Sequence, residues 1–494
     1  MRTLQIIIDP KRSIGTANPM IYGQFLEHFH RQVYGGIYDP DSPFADENGL
    51  RQDVINALKK IHVPVVRWPG GCFVSAYHWL GGVGKERTPY FDKAWCVEEP
   101  NTFGTDEYIR FCRQIGAQPY ICTNAGTGTC EEMSDWLEYC NQTEGKFARM
   151  RTENGHTEPY HVKYWSIGNE NWGSWEIGSK SAKEWSRFVT EAAKMMRRVD
   201  PSIQLFAASV AGLEWNMELL KEAGHLLNWV SIHGYWDMMC EKNEPADYEQ
   251  CMLYSTQVEE PIQKIKHILG ALGMENQVRV AYDEWNLRSW HHPGIMDFSM
   301  LDPDHEHAAK MRDGNDINSI YTMADAVFAA TFLSACLRNC DTVEMANFSP
   351  IVNTRGAVFT YDKGIVLRPT YHVFDLYTNH MGNQMVDSYI RGDNTFCCKG
   401  TDIPMIDAAA ALTEDEHLTL ALVNRNPDEA VQFQLILREM HASDAVLYTV
   451  NGETKDSYND IARPDAITIK NHAVTDTNAL ILDPHSVNIL TCKI

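Results

Sequence analysis

Two kinds of segment alternate along most of this chain, and that alternation constrains the fold more than any other feature. Between about residue 18 and residue 370, short runs rich in β-branched residues are separated by segments patterned like helices. Eight strands that alternate with helices predict a closed (β/α)8 TIM barrel, a fold of the α/β class. The predicted strands are Ile21–Phe29, Val63–Trp68, Gln118–Thr123, Val162–Ile167, Ile203–Ala208, Trp229–His233, Gln277–Tyr282 and Thr342–Asn347.

Helix-like segments with apolar residues at helical spacing lie between these strands. The alternative fold is an open, doubly wound sheet. It is disfavoured because no glycine-rich phosphate turn follows the first strand. The predicted helices are Asp53–Lys60, Thr105–Gln114, Ala182–Val199, Met217–Ala223, Pro261–Leu272 and Ala324–Arg338.

The pattern changes after about residue 380, where strand-like runs are punctuated by Pro, Asn and Asp. Strands at this spacing predict an antiparallel β-sandwich, and the run Thr3–Ile8 is expected to add a strand to it. We therefore expect a barrel domain over residues 16–375 and a sandwich domain over residues 376–494, with residues 1–15 contributing to the second. The predicted sandwich strands are His417–Val423, Val431–Leu437, Ala466–Lys470, Asn478–Leu482 and Val487–Leu490.

Two glutamates occupy matching places in the predicted barrel. Glu170 follows the fourth strand, within Trp165–Trp172, and Glu284 follows the seventh, within Val278–Asn286. In such barrels the catalytic groups project from the carboxyl ends of the strands, so both glutamates are expected at one rim. Cleavage of a glycosidic bond requires one carboxyl group to protonate the departing oxygen and another to hold negative charge against the sugar. The sequence therefore predicts a sugar-cleaving enzyme.

The charge of the chain excludes some classes of partner. Forty-three basic residues against 66 acidic ones give a formal net charge of −23. This excess of negative charge argues against binding to nucleic acid or to an anionic membrane surface. A neutral carbohydrate substrate is compatible with it.

The N-terminus and the cysteines predict a cytoplasmic protein. Met1–Asp9 carries one basic residue and a short apolar stretch, which does not resemble a secretory leader. The most apolar segment, Ala324–Leu337, contains Asp325 and is too short for a membrane span. Thirteen cysteines form an odd set without framework spacing, which favours reduced thiols.

Several separate motifs, in order along nearly the whole chain, resemble those of the α-L-arabinofuranosidases of glycoside hydrolase family 51. The resemblance implies a (β/α)8 barrel joined to a jelly-roll-like sandwich, hydrolysis with retention at the sugar carbon, and often assembly as hexamers. It implies no metal and no cofactor. The motifs are Ile21–His28, Tyr34–Tyr38, Arg67–Phe73, Ile167–Trp172, Ser231–Tyr235 and Asp283–Asn286.

The resemblance assigns the two catalytic roles. Glu170 corresponds to the acid/base, whose pKa must be raised for it to donate a proton at neutral pH. Glu284 corresponds to the nucleophile, which must stay ionised, and Arg67 is the supporting cation expected beside it. The ordinary alternatives are a surface glutamate for Glu170 and, for Glu284, a structural ion pair with Arg279 or Arg288.

Five further residues are candidates around the sugar. Asn169 is expected to donate to the sugar 2-hydroxyl, Glu27 to accept from sugar hydroxyls, and Tyr235 to bond the nucleophile, with His233 supporting the site. The alternative role is a turn amide for Asn169, an ion pair inside the barrel for Glu27 and a core histidine for His233. Many family members carry Asn at the position of Cys72, where it contacts the sugar, while others have Cys as here, and a thiol does not offer the hydrogen bond of an amide.

Two further features are candidate parts of the site. Residues 288–318 form a long stretch that includes His291, His292, His305 and His307 and is a candidate lid or oligomer contact. Certain tryptophans near the predicted rim loops are candidates for stacking on sugar rings, although core packing is the more common role. These are Trp68, Trp79, Trp172, Trp285 and Trp290.

The sequence predicts a cytoplasmic, retaining, exo-acting α-L-arabinofuranosidase that releases terminal arabinofuranosyl residues from arabinan or arabinoxylan oligosaccharides. Three rivals stay open. A β-xylosidase or an endo-β-glucanase would use the same carboxylates. A sugar isomerase would hold a divalent ion through residues such as His28, His30 and His233, and a sugar-binding protein would not hydrolyse its ligand.

Overall fold

The structure, a computed structural model, describes residues 2–239, 244–289 and 316–494. The helices in these ranges are α1 (Gln52–Lys60), α2 (Thr105–Ile115), α3 (Cys130–Asn141), α4 (Lys146–Glu153), α5 (Ala182–Val199), α6 (Leu213–Ala223), α7 (Tyr248–Ser255), α8 (Glu260–Leu272), α9 (Met323–Arg338) and α10 (Pro369–His380). The strands are β1 (Arg2–Thr16), β2 (Gly23–Phe25), β3 (Val65–Trp68), β4 (Tyr90–Asp92), β5 (Val97–Glu99), β6 (Gln118–Thr123), β7 (Tyr164–Ile167), β8 (Gln204–Ala208), β9 (Trp229–Met238), β10 (Arg279–Ser289), β11 (Val343–Phe348), β12 (Val358–Tyr361), β13 (Gly364–Leu367), β14 (Gln384–Arg391), β15 (Thr395–Cys398), β16 (Thr401–Pro404), β17 (Ile406–Leu412), β18 (His417–Asn424), β19 (Val431–Leu437), β20 (Ser443–Val450), β21 (Ile469–Val474), β22 (Leu480–Leu482) and β23 (Val487–Lys493).

Eight parallel strands close into a barrel in the order β2, β3, β6, β7, β8, β9, β10 and β11. The circle closes where β11 pairs with β2, with Asn347 opposite Gly23. All eight predicted strands contribute to it, so the (β/α)8 prediction is confirmed and the open sheet is wrong.

Apolar side chains fill the lower interior of the barrel, and polar ones stand above them. Successive inward-facing positions on a strand lie two residues apart. On β3, Val65 is therefore followed inward by Arg67, and on β10, Ala281 is followed by Asp283. The apolar layer consists of Val65, Tyr120, Tyr164, Phe206, Trp229, Ala281 and Met345.

Two strands extend farther than their hydrophobic patterns predict. β9 continues to Met238 and β10 to Ser289, so Glu284 lies inside a strand rather than after its end. The pairing of β10 with β9 skips a residue between Ala281 and Glu284. Such a bulge changes the direction of the side chains that follow it.

Six of the ten α-helices named above were predicted from the sequence, and four were not. The six predicted helices are present, with ends shifted by a few residues, whereas α3, α4, α7 and α10 were not predicted. Helix α9 is buried on nearly every side, since it packs against both the barrel and the C-terminal sheet. None of the helices in the described ranges combines the length and apolar character that a membrane span requires.

The C-terminal strands form a nine-stranded sheet in the order β21, β20, β23, β18, β17, β14, β1, β19 and β22. Its pairs are antiparallel with one exception. The N-terminal strand β1 is antiparallel to β14 but parallel to β19. The prediction of a C-terminal antiparallel β domain is therefore confirmed. Its strands form a mostly antiparallel sheet, and the first strand of the chain belongs to it, as expected.

Candidate active site

Arg67 is at the centre of the polar layer at the carboxyl rim of the barrel. Its side chain is fully buried, and Nη1 donates to Oε2 of Glu284 at 2.8 Å. Nη2 donates to Oδ1 of Asn169 at 2.7 Å, and Nε lies 3.4 Å from Oδ2 of Asp283. Burial opposes ionisation of Asp283, but Arg67 and the neighbouring hydrogen-bond donors hold the pKa of its carboxyl group below the usual value. One arginine therefore balances two buried carboxylates.

We expect Arg67→Met to lower the free energy of unfolding by about 3–5 kcal/mol, because it leaves two buried anions with His233 as their remaining close cation. Urea denaturation measures this loss. The matched control is Arg279→Met, which breaks a half-exposed pair with Glu344 and should cost at most about 1 kcal/mol. Equal stability of the two variants would contradict the role of Arg67 in balancing the buried charges.

Glu284 is buried and held by donors on both oxygens. Tyr235 Oη donates to Oε1 at 2.6 Å, while Arg67 occupies Oε2. The same tyrosine hydroxyl lies 2.7 Å from Oγ of Ser349, which fixes its direction. The nucleophile candidate is thus oriented by a cation and a hydroxyl group.

The alternative ion pairs for Glu284 are wrong. Arg279 pairs with Glu344 on the outside of the barrel, at 2.9 Å. Arg288 pairs instead with a different set of buried carboxylates, which belong to Asp237 and Asp325.

Glu170 has a strained backbone and a well-defined side chain. Its φ angle is +43°, in the left-handed region that non-glycine residues seldom adopt. Strain of this kind persists where the surrounding structure enforces it, and it is concentrated at functional sites. Trp175 Nε1 donates to Oε2 of Glu170 at 3.0 Å. The side chain is largely buried, so the surface-glutamate alternative is wrong.

His233 lies between the two candidate carboxyl groups. Its Nδ1 is 2.8 Å from Oε1 of Glu170 and 3.5 Å from Oε2 of Glu284, and its Nε2 is 3.5 Å from Oδ1 of Asp283. Burial alone lowers the pKa of this imidazole, but the three carboxylates around it raise that pKa to about 10. At neutral pH His233 is therefore an imidazolium that contacts both glutamates.

Glu27 accepts hydrogen bonds from neutral groups. Its Oε1 receives the backbone N–H groups of Gly71 and Phe73, each at 3.1 Å, and the indole N–H of Trp95 at 3.2 Å. Burial, and after it the charge of Glu284, raise the pKa of Glu27 to about 8. Because these three partners are neutral, they differ from the ion pair inside the barrel that was the alternative role for Glu27.

Stability should depend on pH through Glu27. The folded protein keeps the proton of Glu27 up to about pH 8, while the unfolded chain loses it near its ordinary pKa, so the free energy of unfolding falls as pH rises through this interval. Glu27→Gln cannot ionise. It should match the wild type near pH 4 and be more stable at pH 8, by on the order of 2–4 kcal/mol.

Thermal unfolding from pH 4 to pH 8.5 measures this difference. The control is Glu260→Gln, at an exposed helical position, which should reproduce the wild-type profile. Parallel curves for Glu27→Gln and the wild type would contradict the buried-acid account.

Asn169 and Cys72 line the same centre. Asn169 is fully buried, with Oδ1 engaged by Arg67 and Nδ2 donating to Oε2 of Glu176 at 3.3 Å. Among the described residues the amide nitrogen donates to Glu176, and this bond uses one of its two N–H groups. The Cys72 sulfur lies within 4.8 Å of carboxylate oxygens of Glu170 and Glu176. Burial, and then these glutamates, raise the pKa of Cys72 well above its usual value, so it is present as a thiol.

All eight candidate residues from the sequence therefore converge on one rim. Other neighbours were not predicted as site residues. Asp283 belongs to the Asp283–Asn286 motif, whereas Trp95, Glu176 and Ser349 carried no signal, because loops bring them to the rim. Only Asp283, next to Glu284 and two positions after the inward-facing Ala281, had a readable signal.

Core packing, the more common role, is confirmed for three of the five candidate tryptophans. Trp68 stacks on Tyr108 with ring centroids 4.6 Å apart, and Trp285 stacks on Phe332 at 3.7 Å. Trp79 is also fully buried, while Trp172 is partly exposed. Trp290 and the four histidines of the 288–318 stretch lie outside the described residues.

The histidines proposed for a metal do not converge. His28 contacts Glu99 at 3.1 Å and His30 lies 3.7 Å from Asp316, whereas His233 contacts Glu170. Within the described ranges these contacts involve three different carboxylates, which does not favour the isomerase reading.

A (β/α)8 barrel with two buried glutamates side by side at its carboxyl rim defines a glycoside hydrolase. Two family models match: the α-L-arabinofuranosidase 1 domain over residues 57–251 and the α-L-arabinofuranosidase C-terminal domain over residues 283–486. This chain belongs to the α-L-arabinofuranosidases of glycoside hydrolase family 51.

Individual relatives agree with this assignment. α-L-Arabinofuranosidase C of Emericella nidulans is 32% identical, with 91% of this chain and 89% of the relative covered. An intracellular exo-α-(1→5)-L-arabinofuranosidase of Streptomyces lividans is 30% identical, covering 100% of this chain and 76% of the relative. The thermostable family 51 α-L-arabinofuranosidase of Thermotoga petrophila superposes with a TM-score of 0.85 at 34% identity, with 99% of both chains covered.

Proposed function

We propose that Glu284 is the nucleophile and Glu170 the acid/base with which this chain releases terminal α-L-arabinofuranosyl residues. The observation that carries the assignment is that Nδ1 of His233 contacts both carboxyl groups. The contacted oxygens cannot be farther apart than the sum of those two distances. That sum is below the roughly 6.5–9.5 Å typical of inverting enzymes, which supports two displacements with net retention.

In the first step Glu284 attacks the anomeric carbon of the arabinofuranose. The bond to the leaving oxygen breaks as Glu170 transfers its proton to that oxygen, and a glycosyl ester forms on Glu284. Arg67 and Tyr235, which each contact one oxygen of Glu284, orient the attacking carboxylate. Asn169 donates its remaining N–H to a sugar hydroxyl, and Glu27 and Cys72 contact other hydroxyls.

In the second step Glu170 removes a proton from water, and the resulting hydroxide attacks the anomeric carbon and releases Glu284. The ester carries no charge, so Glu284 no longer repels an ionised Glu170. His233 Nδ1, which lies 2.8 Å from Oε1 of Glu170 in the ligand-free protein, is in position to hydrogen-bond the ionised base. The change in charge on one glutamate thus switches the role of the other.

The departing group has a place beside Glu170. A cavity of about 320 Å³ borders this residue and is lined mainly by aromatic and apolar side chains. Since the leaving oxygen must lie within reach of Glu170, we place the rest of the substrate here. The lining includes Trp172, Trp175, Tyr235, Trp236 and Met238.

We propose that the natural substrates are short arabinose-bearing oligosaccharides, hydrolysed in the cytoplasm by a homo-oligomer, with a hexamer as the expected form. The intracellular relative from Streptomyces lividans supports the location. Cell fractionation and light scattering of the purified protein test these two points.

A substrate panel tests the proposed reaction. We expect fast hydrolysis of nitrophenyl α-L-arabinofuranoside, slow or no hydrolysis of nitrophenyl β-D-xyloside and cello-oligosaccharides, and no loss of rate with EDTA. Proton NMR should detect the α anomer of arabinofuranose as the first product. Preference for a xyloside or glucan, or first formation of the β anomer, would overturn the proposal.

A further inference from the structure

The catalytic centre contains a fifth buried carboxyl group, besides those of Glu27, Glu170, Asp283 and Glu284, and it has no role in the steps above. Glu176 belongs to the turn that follows β7 and is only 3% exposed. Its backbone N–H bonds the carbonyl of Gly173, and its own carbonyl accepts from Ser179, so the turn fixes its position. Placing a carboxyl group in a buried site costs free energy unless its contacts compensate.

The contacts of Glu176 fix the orientation of a sugar-facing amide. Arg67 can only donate, so the Asn169 atom 2.7 Å from it must be the oxygen. The nitrogen of the amide therefore points toward Oε2 of Glu176, which accepts from it at 3.3 Å. Arg67 and Glu176 hold the two ends of this amide, and the second N–H of Asn169 is left in a defined direction.

The rest of the surroundings favour an uncharged Glu176. Its Oε1 is buried and has no hydrogen-bond partner among the described residues. Burial is the main cause that raises the pKa of Glu176 to about 8, and the charge of Glu170 adds to it. The nearby side chains of Ser75, Cys72 and Asn169 act in the opposite direction and lower this pKa. At neutral pH the carboxyl group keeps its proton, and no additional anion faces Glu170.

We propose that Glu176 is a positioning residue of this hydrolase, which holds the Asn169 amide so that its free N–H meets the bound arabinofuranose. The inference rests on the proposed function, because it assumes that Asn169 contacts the sugar. Glutamine can replace a neutral carboxyl group as acceptor. Alanine cannot.

A double-mutant cycle tests the inference with nitrophenyl α-L-arabinofuranoside. Glu176→Ala should lower kcat/KM by about 10–30-fold, mainly through kcat, while Glu176→Gln should stay within about 3-fold of the wild type. In an Asn169→Ala background, Glu176→Ala should cost less than about 3-fold, because the group that it positions is already missing.

The control is Asp106→Ala, which removes another buried carboxyl group, one that accepts from Tyr139 and Tyr160. Its effect on the rate should be equal in the presence and absence of Asn169. If Glu176→Ala does not fold, Glu176→Met replaces it, since methionine keeps the side-chain length without an acceptor. Thermal unfolding of every variant separates a loss of stability from a loss of positioning.

Two results would overturn the inference: additive effects of Glu176→Ala and Asn169→Ala, or a glutamine variant as slow as the alanine variant. Failure of the proposed function would look different. In that case the wild type itself would not hydrolyse the arabinofuranoside, or Glu170→Ala and Glu284→Ala would keep its rate.

Discussion

Glu284→Ala is expected to lower kcat for nitrophenyl α-L-arabinofuranoside by on the order of 10⁴-fold or more, because it removes the carboxylate that we propose forms the glycosyl ester. Among the described side chains, only this carboxylate is oriented by both Arg67 and Tyr235. Steady-state rates with highly purified variant measure the effect. Added azide should give an inverted glycosyl azide, if any product, because it then attacks the sugar directly.

The control for this experiment is Glu344→Ala, which removes a glutamate that pairs with Arg279 outside the barrel and should keep the wild-type rate. Thermal unfolding confirms that Glu284→Ala remains folded. A rate close to that of the wild type would show that Glu284 is not the nucleophile.

Glu170→Ala is expected to lower the rate for substrates with poor leaving groups by about 10²–10⁴-fold, the usual contribution of acid/base assistance. Nitrophenolate leaves without a proton, so with this substrate the loss should appear mainly in hydrolysis of the ester. A pre-steady-state burst of nitrophenol should then precede slow turnover.

Azide should restore turnover of Glu170→Ala, because this anion attacks without a general base, and the product should be a glycosyl azide with retained configuration. Trp175→Phe serves as the control, since it removes the indole N–H that contacts Glu170 but keeps an aromatic ring and the carboxyl group itself, and its rate should not respond to azide. An inverted azide, or no rescue at all, would contradict the acid/base assignment.

The barrel was predictable because its signals are local and repeated. Each strand is a short apolar run and most are followed by an amphipathic helix, so an error in one element leaves the count intact. The two glutamates proposed as catalytic were recognisable for the same reason, since strand ends converge on one rim. Glu170 needed only that rule and its own neighbours in sequence, whereas Glu284 was predicted after the end of a strand and lies within it.

The rest of the site depends on features that no local pattern contains. The bulge in β10 directs both Asp283 and Glu284 toward Arg67, whereas a regular strand would send neighbouring residues to opposite faces. Glu176 reaches Asn169 through the shape of a turn. Trp68 and Trp285 failed as sugar-stacking candidates because burial, not position near a strand end, decides what an indole contacts.

The central claim is tested most directly by trapping the covalent intermediate. Glu170→Ala is mixed with dinitrophenyl α-L-arabinofuranoside, quenched in acid during turnover and digested, and the peptides are identified by mass spectrometry. We predict one added arabinofuranosyl unit, on the peptide that contains Glu284 and on that residue. An unmodified Glu284 peptide during steady turnover, or the sugar attached to another residue, would contradict the account.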